Sequence, residues 1–184
     1  MKKNVLAVSI AAMIGGLSLA GVASAGTIIT DGATAQTLEV SPTGVGHILL
    51  VPYFSTQNGN VSLLNITNTD TVNGKAVKLR YRGAANSDDI YDITVFLSPG
   101  DMWSANVSQK NGRSTLVTND NSCTLPANVN VDFGSARLAA NDNGEGTLEG
   151  YVEILNMADV PPGSALFTSI KHVNGVAPCA TLPD

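Results

Sequence analysis

The sequence is poor in charge: Asp, Glu, Lys and Arg together make up 14% of its 184 residues, against roughly 25% in an ordinary soluble domain. That excludes a coiled coil and a charge-rich disordered tail. Basic residues are scarcer still, ten against fifteen acidic ones for a net charge of −5, and none form a cluster. A polyanion binder needs the opposite balance, so no nucleic-acid partner is expected. His47 and His172 are the only histidines, which excludes a His-rich metal site and the HExxH zinc helix. Aromatics are 5% of the chain, with a single Trp. No GxSxG elbow, phosphate-cradling loop or GxGxxG turn occurs, and no cofactor is expected.

Long apolar runs are missing after the first 25 residues, where none approaches the roughly 20 residues a helix needs to cross a bilayer. At the start, Lys2 and Lys3 precede an apolar stretch from Val5 to Ala20, and Ala23-Ser24-Ala25 has the small-x-small form of a cleavage site. Residues 1–25 therefore read as a secretory signal peptide, with the exported chain starting at Gly26. Without Lys2 and Lys3, eight basic residues face fifteen acidic ones. There is no Arg-Arg pair before the apolar stretch and no Cys next to Ala25, so the general secretory route without a lipid anchor is expected. The only two cysteines are Cys123 and Cys179. Neither belongs to a CxxC, and in an oxidising compartment the expectation is that they pair.

Turn signals are plentiful. Five Asn-Gly dipeptides, at Asn58, Asn73, Asn111, Asn143 and Asn174, suit the positive φ of tight hairpin turns. Lys75 to Arg82 alternates, with Val77, Leu79 and Tyr81 on one face and Lys78, Arg80 and Arg82 on the other, which is the period of a half-buried strand. Ile90 to Leu97 repeats the pattern through Tyr91, Ile93, Val95 and Leu97, and Met102 to Ser108 through Trp103, Ala105 and Val107. Ser98-Pro99-Gly100-Asp101 between them suits a type II turn, and Asn111-Gly112 predicts a tight hairpin to Arg113–Thr118. Gly46–Phe54, Val61–Asn68, Val129–Phe133, Leu148–Asn156 and Ala165–His172 complete the candidate strands. The only candidate helix is Phe133–Asn141. About eight or nine short strands predict an all-β fold, an antiparallel β-sandwich of immunoglobulin-like or jelly-roll-like type. It spans residues 44–184, behind an N-terminal segment, residues 26–43, that is a flexible lead-in or a strand donated to another chain's sheet edge.

Candidate chemistry is sparse. Asp88, Asp89 and Asp92, and Asp142, Asn143 and Glu145, offer oxygens to Ca²⁺, but neither group has the spacing of a calcium loop, so no metal site is assigned. Trp103 with Tyr53, Tyr81 and Tyr91 could form a platform for sugar rings, although alternation turns three of the four toward a core. Lys78, Arg80 and Arg82 read as a solvated face balanced by Asp88 and Asp89. No Ser-His-Asp set can be named as a triad.

The stretch from Gly46 to Val107, with LLVPYF, NITNTDTVNGKAVKLRYRGAANSDD and LSPGDMW, resembles a group of exported proteins of Gram-negative bacteria known as cell-surface proteins. The resemblance implies export and surface association and brings no catalytic residues with it. Members of the group tend to be longer, which implies that this chain is a shortened copy and leaves Cys123 open to another partner. The function expected is a non-enzymatic surface or extracellular structural or adhesion protein. It would work by display, or by assembly with itself or other surface proteins through sheet edges. A carbohydrate-binding module, with a glycan as partner, is the alternative, and a secreted hydrolase a more distant one.

Overall fold

A computed structural model describes residues 40–127, 129–134, 137–138, 142–180 and 182. The chain divides into two compact units, residues 1–46 and His47–Asp184. Of the first, residues 40–46 are described and all are exposed. The expected signal peptide and the alternation at Thr27–Thr30 lie outside the described residues.

The second unit is a β-sandwich. Its strands are β1 (Ile48–Ser55), β2 (Ser62–Thr67), β3 (Gly74–Gly83), β4 (Asp89–Leu97), β5 (Met102–Lys110), β6 (Arg113–Val117), β7 (Cys123–Leu125), β8 (Val131–Asp132) and β9 (Glu149–Val160). They form one sheet in the order β1-β9-β3-β4-β7 and a second in the order β2-β5-β6-β8, and every pairing is antiparallel. The alternation read from the sequence decides what lies between the layers. Val77, Leu79 and Tyr81 of β3, Ile93, Val95 and Leu97 of β4, and Val152 and Ile154 of β9 face Ile66 of β2, Trp103, Ala105 and Val107 of β5, and Leu116 of β6. Trp103 and Leu79 are fully enclosed, and burying a side chain of Leu size contributes about 1.5–3 kcal/mol.

A smaller apolar cluster covers the outer side of the five-stranded sheet. Ala76 and Phe96 point there, opposite in sense to their neighbours Val77 and Val95, and pack with Cys123, Val160, Ile170 and Ala177. Burial on both sides explains why Val95, Phe96 and Leu97 are all buried where plain alternation expects every second residue. The cover is helix α1 (Ala165–Ile170), in a segment whose sequence predicts a strand. Ser164 decides the outcome: its side chain caps the helix by accepting the Phe167 N–H at 3.0 Å, and Leu166, Phe167 and Ile170 then share the side turned to the sheet.

Four of the five Asn-Gly pairs take positive φ at both residues: Asn58-Gly59, Asn111-Gly112, Asn143-Gly144 and Asn174-Gly175. Asn111-Gly112 closes the β5–β6 hairpin as expected, with Lys110 opposite Arg113. Asn73-Gly74 is different, because β2 and β3 belong to opposite sheets and Gly74 is the first residue of β3. A Cβ there would lie 2.7 Å from Ile170 Cδ1 and 3.0 Å from the Leu97 carbonyl oxygen, so this glycine serves close packing and not a turn. The Ser98–Asp101 turn forms, with the Asp101 N–H donating to the Ser98 carbonyl at 3.1 Å and Gly100 at φ +72°. Phe133 and Gly134 are not helical. Their N–H groups donate to Ser114 of one sheet and Ile90 of the other, and residues 135–136 and 139–141 of the expected helix lie outside the described residues. Strand β7 has three residues, too few for a periodic signal.

Candidate functional site

The aromatic residues do not form a platform. Trp103 is 0% exposed because β5 turns it inward opposite Ile66, and Tyr81 is enclosed in the same layer. Tyr91 is half-buried against that core and stacks on Phe133 at 4.9 Å between ring centres and 10° between planes. Tyr53 is open, 61% exposed, and its hydroxyl donates to Glu149 Oε2 at 3.1 Å. A sugar ring needs an accessible π face, and a single exposed tyrosine does not provide the coplanar set. Burial, and then the neighbouring Tyr91 hydroxyl, pushes the Tyr81 phenol far above its ordinary range. Burial, with nearby Asp92, raises Tyr91 to about 12. The Tyr81 and Tyr91 hydroxyls and Trp103 Nε1 have no hydrogen-bond partner.

Cys123 and Cys179 are bonded to each other, with Cα atoms 5.5 Å apart. The bond fastens edge strand β7 to the segment that follows α1, where the Cys179 N–H also donates to the Ser169 carbonyl at 2.9 Å.

Four of the carboxylates considered for Ca²⁺, those of Asp88, Asp89, Asp92 and Asp142, are engaged with cations and N–H groups. Asp88 is buried and pairs with Arg137 at 3.0 Å, Asp92 pairs with Lys78, and Asp89 lies 3.9 Å from Arg80. Asp142 accepts the Gly146 N–H at 3.0 Å. Among the described residues, no group of three or more His, Cys, Asp or Glu is placed to hold a metal ion. The basic stripe of β3 is part of a charge ladder on the outer side of the five-stranded sheet. Lys78 and Arg80 meet β4 as above, and Arg82 pairs with Glu153 of β9 at 3.1 Å; Lys75, opposite the inward Leu97, stands apart from this ladder and bridges Asp70 and Asp159 at 2.8 and 2.7 Å. Asp89, Asp92 and Glu153 thus balance the stripe, while Asp88 turns to Arg137.

One Ser-His-Asp grouping exists that the sequence does not single out. Ser98 Oγ lies 3.0 Å from His172 Nδ1, and Asp101 Oδ2 lies 3.4 Å from the same nitrogen. A catalytic relay needs the serine and the carboxylate on opposite ring nitrogens, and Ser98 is buried. The arrangement is a clasp that ties His172, two residues past α1, to the β4–β5 turn. His47 at the start of β1 is exposed, with Nδ1 3.2 Å from the Asn156 amide. Gln57, Asn58, Gln109, Glu145 and Leu148 line an open polar groove of about 340 Å³.

The two edge strands that meet at the β1–β2 connection differ in a way only the sheet order reveals. In β1, the Asn156 N–H donates to the His47 carbonyl. By the alternation of an antiparallel ladder, His47, Leu49 and Val51 then bond to β9 while Ile48 and Leu50 turn their backbone groups outward. That open run is short. Pro52 has no N–H, the register shifts between Val51 and Phe54, and Ser62 Oγ occupies the outward groups of Ser55. In β2, the Asn68 N–H donates to the Asp101 carbonyl at 2.8 Å, so Ser62, Leu64 and Ile66 bond to β5. Leu63, Asn65 and Thr67 turn theirs outward, and the same alternation carried one residue back from the strand adds Val61. Ser104, opposite Asn65, is consistent with this: its N–H and carbonyl serve Asp120 and Thr118 on the far side of β5. From Val61 to Thr67 there is no charge, proline or register shift, and Leu63 is 76% and Val61 54% exposed.

The chain matches no protein-family model and no curated protein. What defines it is the fold: a disulfide-bonded antiparallel β-sandwich. No helix among the described residues is long and apolar enough to cross a membrane.

Proposed function

We propose that this is an exported, non-enzymatic cell-surface or extracellular protein that acts by displaying its sandwich and associating through a sheet edge, in a structural or adhesive role. The observation that carries the reading is the β2 edge. Proteins guard exposed edges with charge, proline, bulges or cover, and β1 has two of these devices while β2 has none from Val61 to Thr67. The reading also draws on the signal-peptide pattern of residues 1–25, on a disulfide that suits an oxidising compartment, and on the resemblance of Gly46–Val107 to exported surface proteins.

Expression of the full chain in a Gram-negative host tests it. Intact mass should show cleavage after Ala25, and an impermeant lysine-reactive label should reach the protein on whole cells. Uncleaved chain retained inside the cell and shielded from the label would overturn the reading.

A further inference from the structure

We propose that β2 is the association edge and that its partner is β2 of a second copy of this chain, the two strands running antiparallel about a two-fold axis at Leu64. This rests on the assembly reading above and specifies its strand and its occupant.

The argument begins with spacing. The outward backbone groups belong to residues 61, 63, 65 and 67. Turning a second copy about an axis beside Leu64 puts Val61 opposite Thr67 of the second copy and Leu63 opposite its Asn65, and the reverse. Every facing pair is then of the hydrogen-bonded kind, each open N–H meeting an open carbonyl and each open carbonyl an N–H. An isologous contact needs such self-complementarity, and β2 has it over its whole length. The same operation on β1 ends at Pro52 and at the Ser55 groups that Ser62 already holds.

Charge points the same way. No ionisable side chain lies between Val61 and Thr67, so two copies oppose no like charges across the seam. The charge ladder of Lys78, Arg80 and Arg82 with Asp92, Asp89 and Glu153 is on the other sheet. The side chains fit as well. On the outer side the exposed Val61 and Leu63 gain Thr67 and Asn65 of the second copy as neighbours, and on the inner side Leu64 meets its own counterpart. A slip by one residue would place outward-facing Leu63 against inward-facing Leu64, so the register is defined.

Sedimentation of the exported, non-reduced chain over a range of concentrations tests the proposal. Asn65→Pro removes an N–H that points away from β5 and so leaves the fold's own ladder intact. Leu63→Lys adds a charge at an exposed position and serves as a second block. The wild-type chain should sediment as a dimer. Both variants should weaken association about tenfold or more, Asn65→Pro through the loss of one or two net hydrogen bonds and Leu63→Lys through the charge it sets at the seam, and Leu50→Lys on β1 should leave it unchanged. A wild-type monomer at every concentration would overturn the proposal, as would a dimer indifferent to both β2 variants. A dimer lost on deletion of Gly26–Thr43 but kept in both β2 variants would make that segment the partner, overturning this proposal while the assembly reading stands. Surface labelling of cells reports on the export and display reading separately.

Discussion

Ser62 holds both backbone groups of Ser55: its hydroxyl donates to the Ser55 carbonyl at 2.9 Å and accepts the Ser55 N–H at 3.0 Å. One side chain of β2 thus stands in for the strand that β1 lacks on its open side, and it bonds the two sheets where the chain passes between them. Ser62→Ala should therefore lower stability by about 1–2 kcal/mol, because two half-buried backbone groups lose their partner. Urea unfolding followed by Trp103 fluorescence measures this, and an unchanged midpoint would mean that water replaces the hydroxyl at no cost.

Gly150 on β9 lies opposite Gly83 of β3, where the backbones come so close that an added Cβ would overlap the Arg82 carbonyl oxygen and lie 3.0 Å from Phe54 Cε1. Neither neighbour can yield, one being backbone in a central ladder and the other a core ring. Gly150→Ala should destabilise the sandwich by about 3 kcal/mol or more, at or beyond the upper end of what overpacked cores usually cost. Thermal unfolding followed by circular dichroism is the check, and a melting temperature within a degree or two of wild type would contradict the packing described.

The two inner tyrosines predict lability in alkali. Burial favours the neutral phenol, so the folded-state pKa values of Tyr81 and Tyr91 lie above the unfolded value near 10. The stability this contributes is complete below about pH 10 and is lost as pH rises toward and past 12. Tyrosinate absorbance should show two of the four tyrosines ionising only as the protein unfolds. Tyr81→Phe should flatten this loss. At neutral pH it should be neutral or stabilising by about 1 kcal/mol, because it removes a buried hydroxyl without a partner. Normal titration of all four phenols in the folded protein would contradict the enclosure of Tyr81.

Much of the fold can be read from local pattern. The alternation of Val77, Leu79 and Tyr81 against Lys78, Arg80 and Arg82, the inward face of Trp103, Ala105 and Val107, and the Asn111-Gly112 hairpin are all set by neighbouring residues. Helix α1 is misread because Ala165–His172 contains strand formers, and the outcome rests on one capping serine and on a sheet face that distant residues build. Asn73-Gly74 is misread for a related reason: its glycine answers to Ile170, nearly a hundred positions away. At the candidate site, the pairing of Cys123 with Cys179 follows from their being the only two cysteines. That Trp103 cannot be a sugar platform follows from alternation already visible in the sequence. Which edge strand is open could not be read, since it depends on β1 and β2 joining different sheets and on a serine reaching from one to the other.

The disulfide lies in the outer cluster, away from the space between the sheets. Under reducing conditions Phe96 and Val160 would be covered through contact with a helix of six residues ending at Ile170, a length that does not persist alone in water. The reduced chain is thus a looser body than the disulfide-bonded one. Joining Cys123 to Cys179 ties β7 to the segment after α1 and so holds this second cluster against the sheet.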